Sequence, residues 1–232
     1  MPTDCLHLFT IDFEGANASI LEAFAFSEDE QRSLLQRAGK SGIPLVLLAS
    51  SRSFHLISTS QHHVQAFRPA LTLVHERTRG VEGARTAPVR VTRGSNAARQ
   101  FLRYGASFSQ VSAAHEFLSD MRAAANLSTR CGAFSAELAA LLRMTEHTAE
   151  RIEGETRLGR PGSFEAELEL EALAAERIVE EELLAWQSSY PALRASVCPP
   201  LSERDIDLFS TEEPQSVVRM RSARVLTRLR AS

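Results

Sequence analysis

Alternating apolar and polar positions over residues 6–13 (LHLFTIDF) predict a strand. Downstream, Ser27 is followed by Glu28, Asp29 and Glu30, and the glutamate three residues after the serine completes a capping box. The helix it opens is expected to run to Ala38 and stop at Gly39, with Lys40 beyond it. Pro44 introduces a continuous apolar run at 45–48, suited to a strand buried on both faces. Residues 49–53 read as a small polar turn, 54–58 as a third strand and 61–68 as a helix. Gly80, Gly83 and Pro88 mark 78–88 as a loop.

From Asn96 onward the spacing turns helical. Residues 97–104, 109–125 and 136–153 each show apolar positions three and four apart, with Gly132 separating the last two. Arg160-Pro161-Gly162 breaks the pattern. Leu168, Ala172, Ala175, Val179, Leu183 and Trp186 then fall on one face of a long helix that begins at Ser163 and ends at Tyr190-Pro191. Eight glutamates, from Glu165 to Glu182, occupy its other faces. Cys198-Pro199-Pro200 is a stiff corner. Residues 201–209 suit a short helix and 217–230 a basic amphipathic one. The elements predict an α+β domain over 1–160, a small sheet with several helices, followed by a helical region over 161–232.

Composition narrows the chemistry. The chain has 232 residues, 44% hydrophobic and 24% charged, an ordinary globular balance. Of 26 basic residues only Lys40 is lysine, which nearly excludes a Schiff-base mechanism. Three cysteines, Cys5, Cys131 and Cys198, with no CxxC pair, form neither a disulfide framework nor a zinc site. The first fifteen residues lack a signal-peptide pattern, and the longest apolar run, 43–50, is too short for a bilayer. A soluble, cytoplasmic protein is expected.

Four stretches, in order, resemble the glutamyl-tRNA reductase family, which opens the five-carbon route to 5-aminolevulinate and tetrapyrroles. Residues 6–27 resemble its first strand, loop and helix start. Residues 45–58 (LVLLASSRSFHLIS) resemble its strand–turn–strand, whose turn reads S-T-C-N-R-T-E. Residues 97–110 (AARQFLRYGASFSQ) resemble its helix with a histidine followed by R-V-A-S-G-L-D-S. Residues 151–160 (RIEGETRLGR) resemble its R-x-R-x-E-T-x-I-G-R. The acidic helix containing AERIVEEELLAWQ resembles the spinal helix of the family's dimerisation region. The resemblance implies a catalytic-domain-like fold over 1–160 and a dimerisation-like region over 161–232.

The departures from the family pattern fall on its chemistry. Ser50 stands where the family has its nucleophilic cysteine, and a thiolate is far more nucleophilic than a hydroxyl near neutral pH. Only Arg52 survives from that turn. The family's histidine falls on Gln100, although Arg103 keeps its place. The first-loop N-H-K-T-A-P corresponds to 12–17 without His or Lys. No G-x-G-x-x-G occurs, and only a short junction lies where the family carries its NADPH domain, so no cofactor is expected. These losses imply a relative without reductase activity that acts by binding tRNA or a partner protein, with Arg52 and Arg103 as substrate-binding residues.

Two other readings stay open. An aminoacyl-tRNA esterase or aminoacyl transferase would work through Ser50, Cys5 or Cys131, with His55 or His75 as base; a structural dimer scaffold needs none of them. His62, His63, His75, His115 and His147 lack metal-ligand spacing, so no metal is expected. Eight arginines against Glu76 and Glu82 give residues 68–103 a net charge of +6, a footprint suited to glutamyl-tRNA. The Leu168, Val179, Leu183 and Trp186 stripe needs a cover, either a homodimer or heterodimer partner from the tetrapyrrole pathway or the chain's own first domain.

Overall fold

In the computed structural model the residues described are 6–12, 18–50, 53–79, 81, 89–106, 111–156 and 165–189. The chain divides into Met1–Cys198 and Pro199–Ser232, and the second unit, with the helices expected at 201–209 and 217–230, lies outside the described residues. The elements are β1 (His7–Asp12), α1 (Ala18–Phe24), α2 (Glu28–Lys40), β2 (Val46–Ala49), β3 (Ser53–Ser58) and α3 (His63–Thr78). They continue with β4 (Val89–Arg93), α4 (Gly94–Ala106), α5 (Val111–Arg130), α6 (Ala136–Glu155) and α7 (Glu165–Ser189). This is an α+β fold whose single four-stranded antiparallel sheet has the order β2-β3-β1-β4.

Helices cover both faces of the sheet. Leu8, Val46, Leu48 and Ile57 point into a core shared with α4, α5, α6 and α7. On the opposite face Phe54 meets Phe9, Phe24 and Phe26, while α3 approaches β3 and α2 approaches β2. Burial on both faces explains the continuous apolar run of β2, and every residue of β3 is buried as well, including the polar Ser53, His55 and Ser58.

The capping box forms as expected. The Ser27 amide donates to Glu30 Oε2 at 2.9 Å and the Glu30 amide donates to Ser27 Oγ at 3.3 Å. Gly39, expected as the stop of α2, lies inside it, and the turn glycine is Gly42, at φ +66°. Gly39 serves a close approach instead, because a Cβ there would overlap the Cys131 carbonyl where α5 ends. Helix α3 runs well past residue 68 through Pro69, its loss of one helical hydrogen bond offset by buried Ala66, Phe67, Ala70, Leu71 and Val74. Strand β4 and helix α1 carry no clear periodicity in the sequence. In β4, VRVTR carries β-formers only at Val89, Val91 and Thr92, too short a run to mark a strand by itself, and pairing with β1 makes it one.

The stripe of α7 rests on α4 and α6. Ala175, Ile178, Val179, Leu183 and Trp186 are buried within the chain, while the side chain of Leu168 lies outside the described residues. Arg99 pairs with Glu180 at 2.5 Å, Arg103 with Glu176 at 2.7 Å, and Arg151 with Glu155, Glu181 and Glu182. Each large apolar side chain contributes roughly 1.5–3 kcal/mol on burial, whereas a half-exposed ion pair contributes about 0–1 kcal/mol. The stripe therefore holds α7 and the ion pairs fix its register. No described helix is long and apolar enough to cross a membrane.

Replacing Gly39 by alanine forces α2 away from the end of α5. Overpacking of this kind costs about 1–3 kcal/mol, so Gly39→Ala is expected to lower the urea midpoint with an unchanged slope. The same change at Gly154, where a Cβ meets nothing within 4 Å, is expected to leave the midpoint unchanged or raise it.

Candidate functional site at the β2–β3 turn

The turn between β2 and β3 is closed by Ser50. Its amide donates to the Ser53 carbonyl at 2.9 Å, and its hydroxyl accepts the Ser53 amide at 3.0 Å. The same hydroxyl reaches the Ser53 carbonyl at 3.1 Å and the Ser53 hydroxyl at 3.3 Å. A serine at this place supplies the donor and acceptor that a short polar turn lacks. Arg52, in the same turn, lies outside the described residues.

Two residues along β3, His55 points to the same face as Ser53. Its Nε2 lies 2.7 Å from Ser53 Oγ, and its Nδ1 lies 3.0 Å from Oγ1 of Thr10, the residue opposite it on β1. Phe101, Tyr104 and Phe117 surround the ring, with Tyr104 nearest at a centroid distance of 4.6 Å. The imidazole is fully buried, and that burial lowers its pKa to about 3. It is neutral, donating to one hydroxyl and accepting from the other.

Beyond His55 a second chain of polar groups runs between β4, α4 and β1. The Thr92 hydroxyl donates to Gln100 Oε1 at 3.0 Å, and Gln100 Nε2 donates to the Tyr104 hydroxyl at 3.5 Å. That hydroxyl donates to Asp12 Oδ1 at 2.5 Å, and Arg90 stands 3.8 Å from Oδ2 of the same carboxylate. Burial, then the bond to Asp12, pushes the Tyr104 phenol up. Gln100 and Tyr104 are one helical turn apart on α4, which aims both at the sheet.

The structure brings Ser50 and His55 together only through Ser53, which is itself buried. Arg103 is directed to α7, where Glu176 accepts from its Nε at 3.2 Å and from Nη2 at 2.7 Å. His75 is exposed on α3, far along the chain from the turn. Cys131 sits at the end of α5 with its thiol 3.9 Å from the Arg32 carbonyl, and Cys5 and Cys198 lie outside the described residues. His63 stacks on His7 with ring centroids 3.4 Å apart; His115 and His147 stand beside Glu153 and Glu182. Among the described residues no group of three His, Cys, Asp or Glu side chains is arranged to hold a metal. A cleft of about 330 Å³ opens next to the turn, between Ala49, Glu28 of α2 and Asp120 of α5. Burial, and Glu116 beside it, hold the Asp120 carboxyl above its ordinary value.

The arginine-rich stretch changes character in three dimensions. Arg77 pairs with Glu30, Arg90 with Asp12, Arg99 with Glu180 and Arg103 with Glu176. Half of the eight arginines are thus neutralised by acids from other elements. Arg85 lies outside the described residues.

With this geometry in place, a search of solved structures matches the glutamyl-tRNA reductase of Methanopyrus kandleri, with a TM-score of 0.50 and 21% identity. The likeness shows a shared fold. It covers 68% of this chain and 36% of that enzyme, about a third of the enzyme's length. No protein-family model and no curated protein matches the sequence. The resemblance to the family pattern singles out Ser50, Gln100 and residues 12–17, and leaves Tyr104 unmarked. The one available signal was a tyrosine four residues after Gln100, on the face of α4 that carries Ala97 and Phe101.

Both His55 and His7 are held neutral, with pKa values of about 3. Unfolded histidine titrates near pH 6.5, so between pH 3 and 6.5 the unfolded chain binds more protons. Stability is complete above pH 6.5 and falls as the pH drops, by about 2 kcal/mol per histidine at pH 5. Urea unfolding at pH 7 and pH 5 is expected to show this loss, and His55→Gln should remove about half of it. An unchanged pH dependence in that variant would contradict the assignment.

Proposed function

We propose that this chain is a glutamyl-tRNA-reductase-like protein of tetrapyrrole biosynthesis that acts by binding a partner protein and does not itself reduce glutamyl-tRNA. One observation carries the reading: the positions corresponding to the family's reacting groups are engaged by other groups of this chain. Ser50 closes its own turn, and Gln100 and Asp12 are linked through Tyr104. A group saturated by neighbours in the ground state gains little from a substrate's transition state. The paired arginines favour a protein over tRNA as the client, because counterion release needs free cations.

The test is NADPH oxidation and glutamate-1-semialdehyde formation from glutamyl-tRNA by the purified protein. Neither is expected above the rate without protein, and turnover would overturn the reading. Binding to glutamyl-tRNA across a salt series is expected to be weak at physiological salt; tight binding with a steep salt slope would make tRNA the client.

The 2.7 Å contact between Ser53 Oγ and His55 Nε2 supports a second reading, hydrolysis or transfer of an aminoacyl ester. It requires the β2–β3 turn to open, since Ser53 is buried. Release of glutamate from glutamyl-tRNA that is lost in both Ser53→Ala and His55→Gln would establish it. Release at the uncatalysed rate would remove it.

A further inference from the structure

Helices α2 and α5 both pack on β2, an edge strand of the sheet. Their contacts step along both helices in the same sense. Glu28 and Gln31 of α2 share a cleft with Asp120 and Ala124 of α5, while Arg32 and Gly39 meet Cys131 where α5 ends. The two helices therefore run side by side in the same direction, with the cleft between them. It holds about 330 Å³. Its lining is apolar at Leu47, Leu48, Ala49, Ala123, Ala124 and Leu127, and charged at Glu28, Asp120 and Arg130. That volume is at the small end of ligand pockets and suits one long side chain better than a cofactor.

The charges along this groove are sorted by sign. Glu28 and Asp29 of α2 and Glu116 and Asp120 of α5 stand at one end; Arg37 and Lys40 of α2 and Arg130 of α5 stand at the other. Asp120 and Arg130 are ten residues apart on α5, about 15 Å along its axis. Acids in the first turn of α2 and bases in the last turns of both helices are what the helix dipoles favour. Asp120 falls outside that account. It lies in mid-helix, half-buried, one turn from Glu116, where an ionised carboxylate is disfavoured unless a cation is supplied. Glu28 and Asp29 share Arg32, at 2.6 and 3.0 Å. Among the described residues Asp120 has no ion-pair or hydrogen-bond partner, and neither have the exposed Arg37, Lys40 and Arg130.

A cation on an apolar stem meets what the cleft offers. An arginine or lysine lays its methylenes on apolar surface and keeps its head at a carboxylate. The bases at the far end call for acids. A helix carries both signs in the required order, because its own dipole favours acids in its first turn and bases toward its end. Laid antiparallel to α2 and α5, it sets its acids on Arg37, Lys40 and Arg130 and its base on Asp120. A phosphate backbone fits worse, since Glu28, Glu116 and Asp120 repel it.

We propose that the groove between α2 and α5 docks an amphipathic helix of a partner protein, antiparallel to both, whose arginine or lysine enters the cleft beside Asp120 and whose first-turn acids meet Arg37, Lys40 and Arg130. The proposal rests on the reading that this chain acts by binding a protein, and it adds the surface and the charge pattern that surface selects. A single docked helix buries less than the roughly 1,200 Å² of a standard stable interface, so the association is of micromolar strength.

The probe is a fluorescein-labelled, stapled helical peptide with glutamates in its first turn, leucines on its inward face and one arginine ten residues after the glutamates. Fluorescence anisotropy with the full chain is expected to show micromolar binding. A peptide with the glutamates and the arginine exchanged should bind about tenfold more weakly, as should the first peptide to Asp120→Asn, the loss of one charged hydrogen bond. Ala123→Phe, which fills the cleft from an exposed position, should weaken binding as well. The fluorescence of the buried Trp186 and the urea midpoint, neither of them lowered in these variants, separate loss of docking from loss of fold. Asp120→Arg with Arg130→Glu should reverse the preference between the two peptides. Binding of neither peptide overturns the proposal, as does equal binding of both or indifference to Asp120→Asn. Displacement of both peptides alike by tRNA overturns it too, by assigning the groove to nucleic acid. NADPH oxidation with glutamyl-tRNA would overturn the underlying reading of the chain as a binder, whereas peptide binding without a charge preference and without turnover overturns the groove alone.

Discussion

Burial holds His55 neutral, and a buried ring nitrogen left without a hydrogen-bond partner costs free energy. His55 avoids that cost with Thr10 on one side and Ser53 on the other. Much of the site follows from it. Ser53 is drawn inward, and its main chain is tied to Ser50. Phe101, Tyr104 and Phe117 then pack on the ring and carry α4 and α5 down onto the sheet. With Tyr104 in place its hydroxyl also needs a partner, and Asp12 at the end of β1 supplies one.

Charge is distributed in the same inward-looking way. The stretch around residues 68–103 carries a large positive surplus in sequence, but Glu30, Asp12, Glu176 and Glu180 meet four of its arginines from other elements. Arg99 holds the Glu180 carboxyl below the ordinary carboxylate range. The glutamates of α7 thus belong to the docking of that helix as much as to its solubility. Its apolar stripe supplies most of the energy, and the ion pairs select one seating among those a uniform stripe would allow.

Local chemistry was legible in the sequence and tertiary demand was not. Ser27 and Glu30 announce the start of α2 because a capping box is complete within four residues. Strand β2 announces itself because burial on both faces leaves a continuous apolar run. Strand β4 is silent because its identity comes from pairing with β1, and Pro69 argues locally for a break that the packing of α3 overrides. Gly39 looks like a helix stop and is a contact point with α5. At the site, Ser50 and Gln100 can be placed by comparison with a family pattern. The meaning of Tyr104 depends on Asp12, ninety-two residues away, and no spacing rule reaches that far.

The account rests on the β2–β3 turn being closed and its serines unreactive. Incubating the full chain with a fluorophosphonate and mapping adducts by mass spectrometry tests this most directly. The account predicts no adduct at Ser50 or Ser53 above the level of surface serines. Rapid labelling of either serine, abolished by His55→Gln in a folded variant, would contradict it.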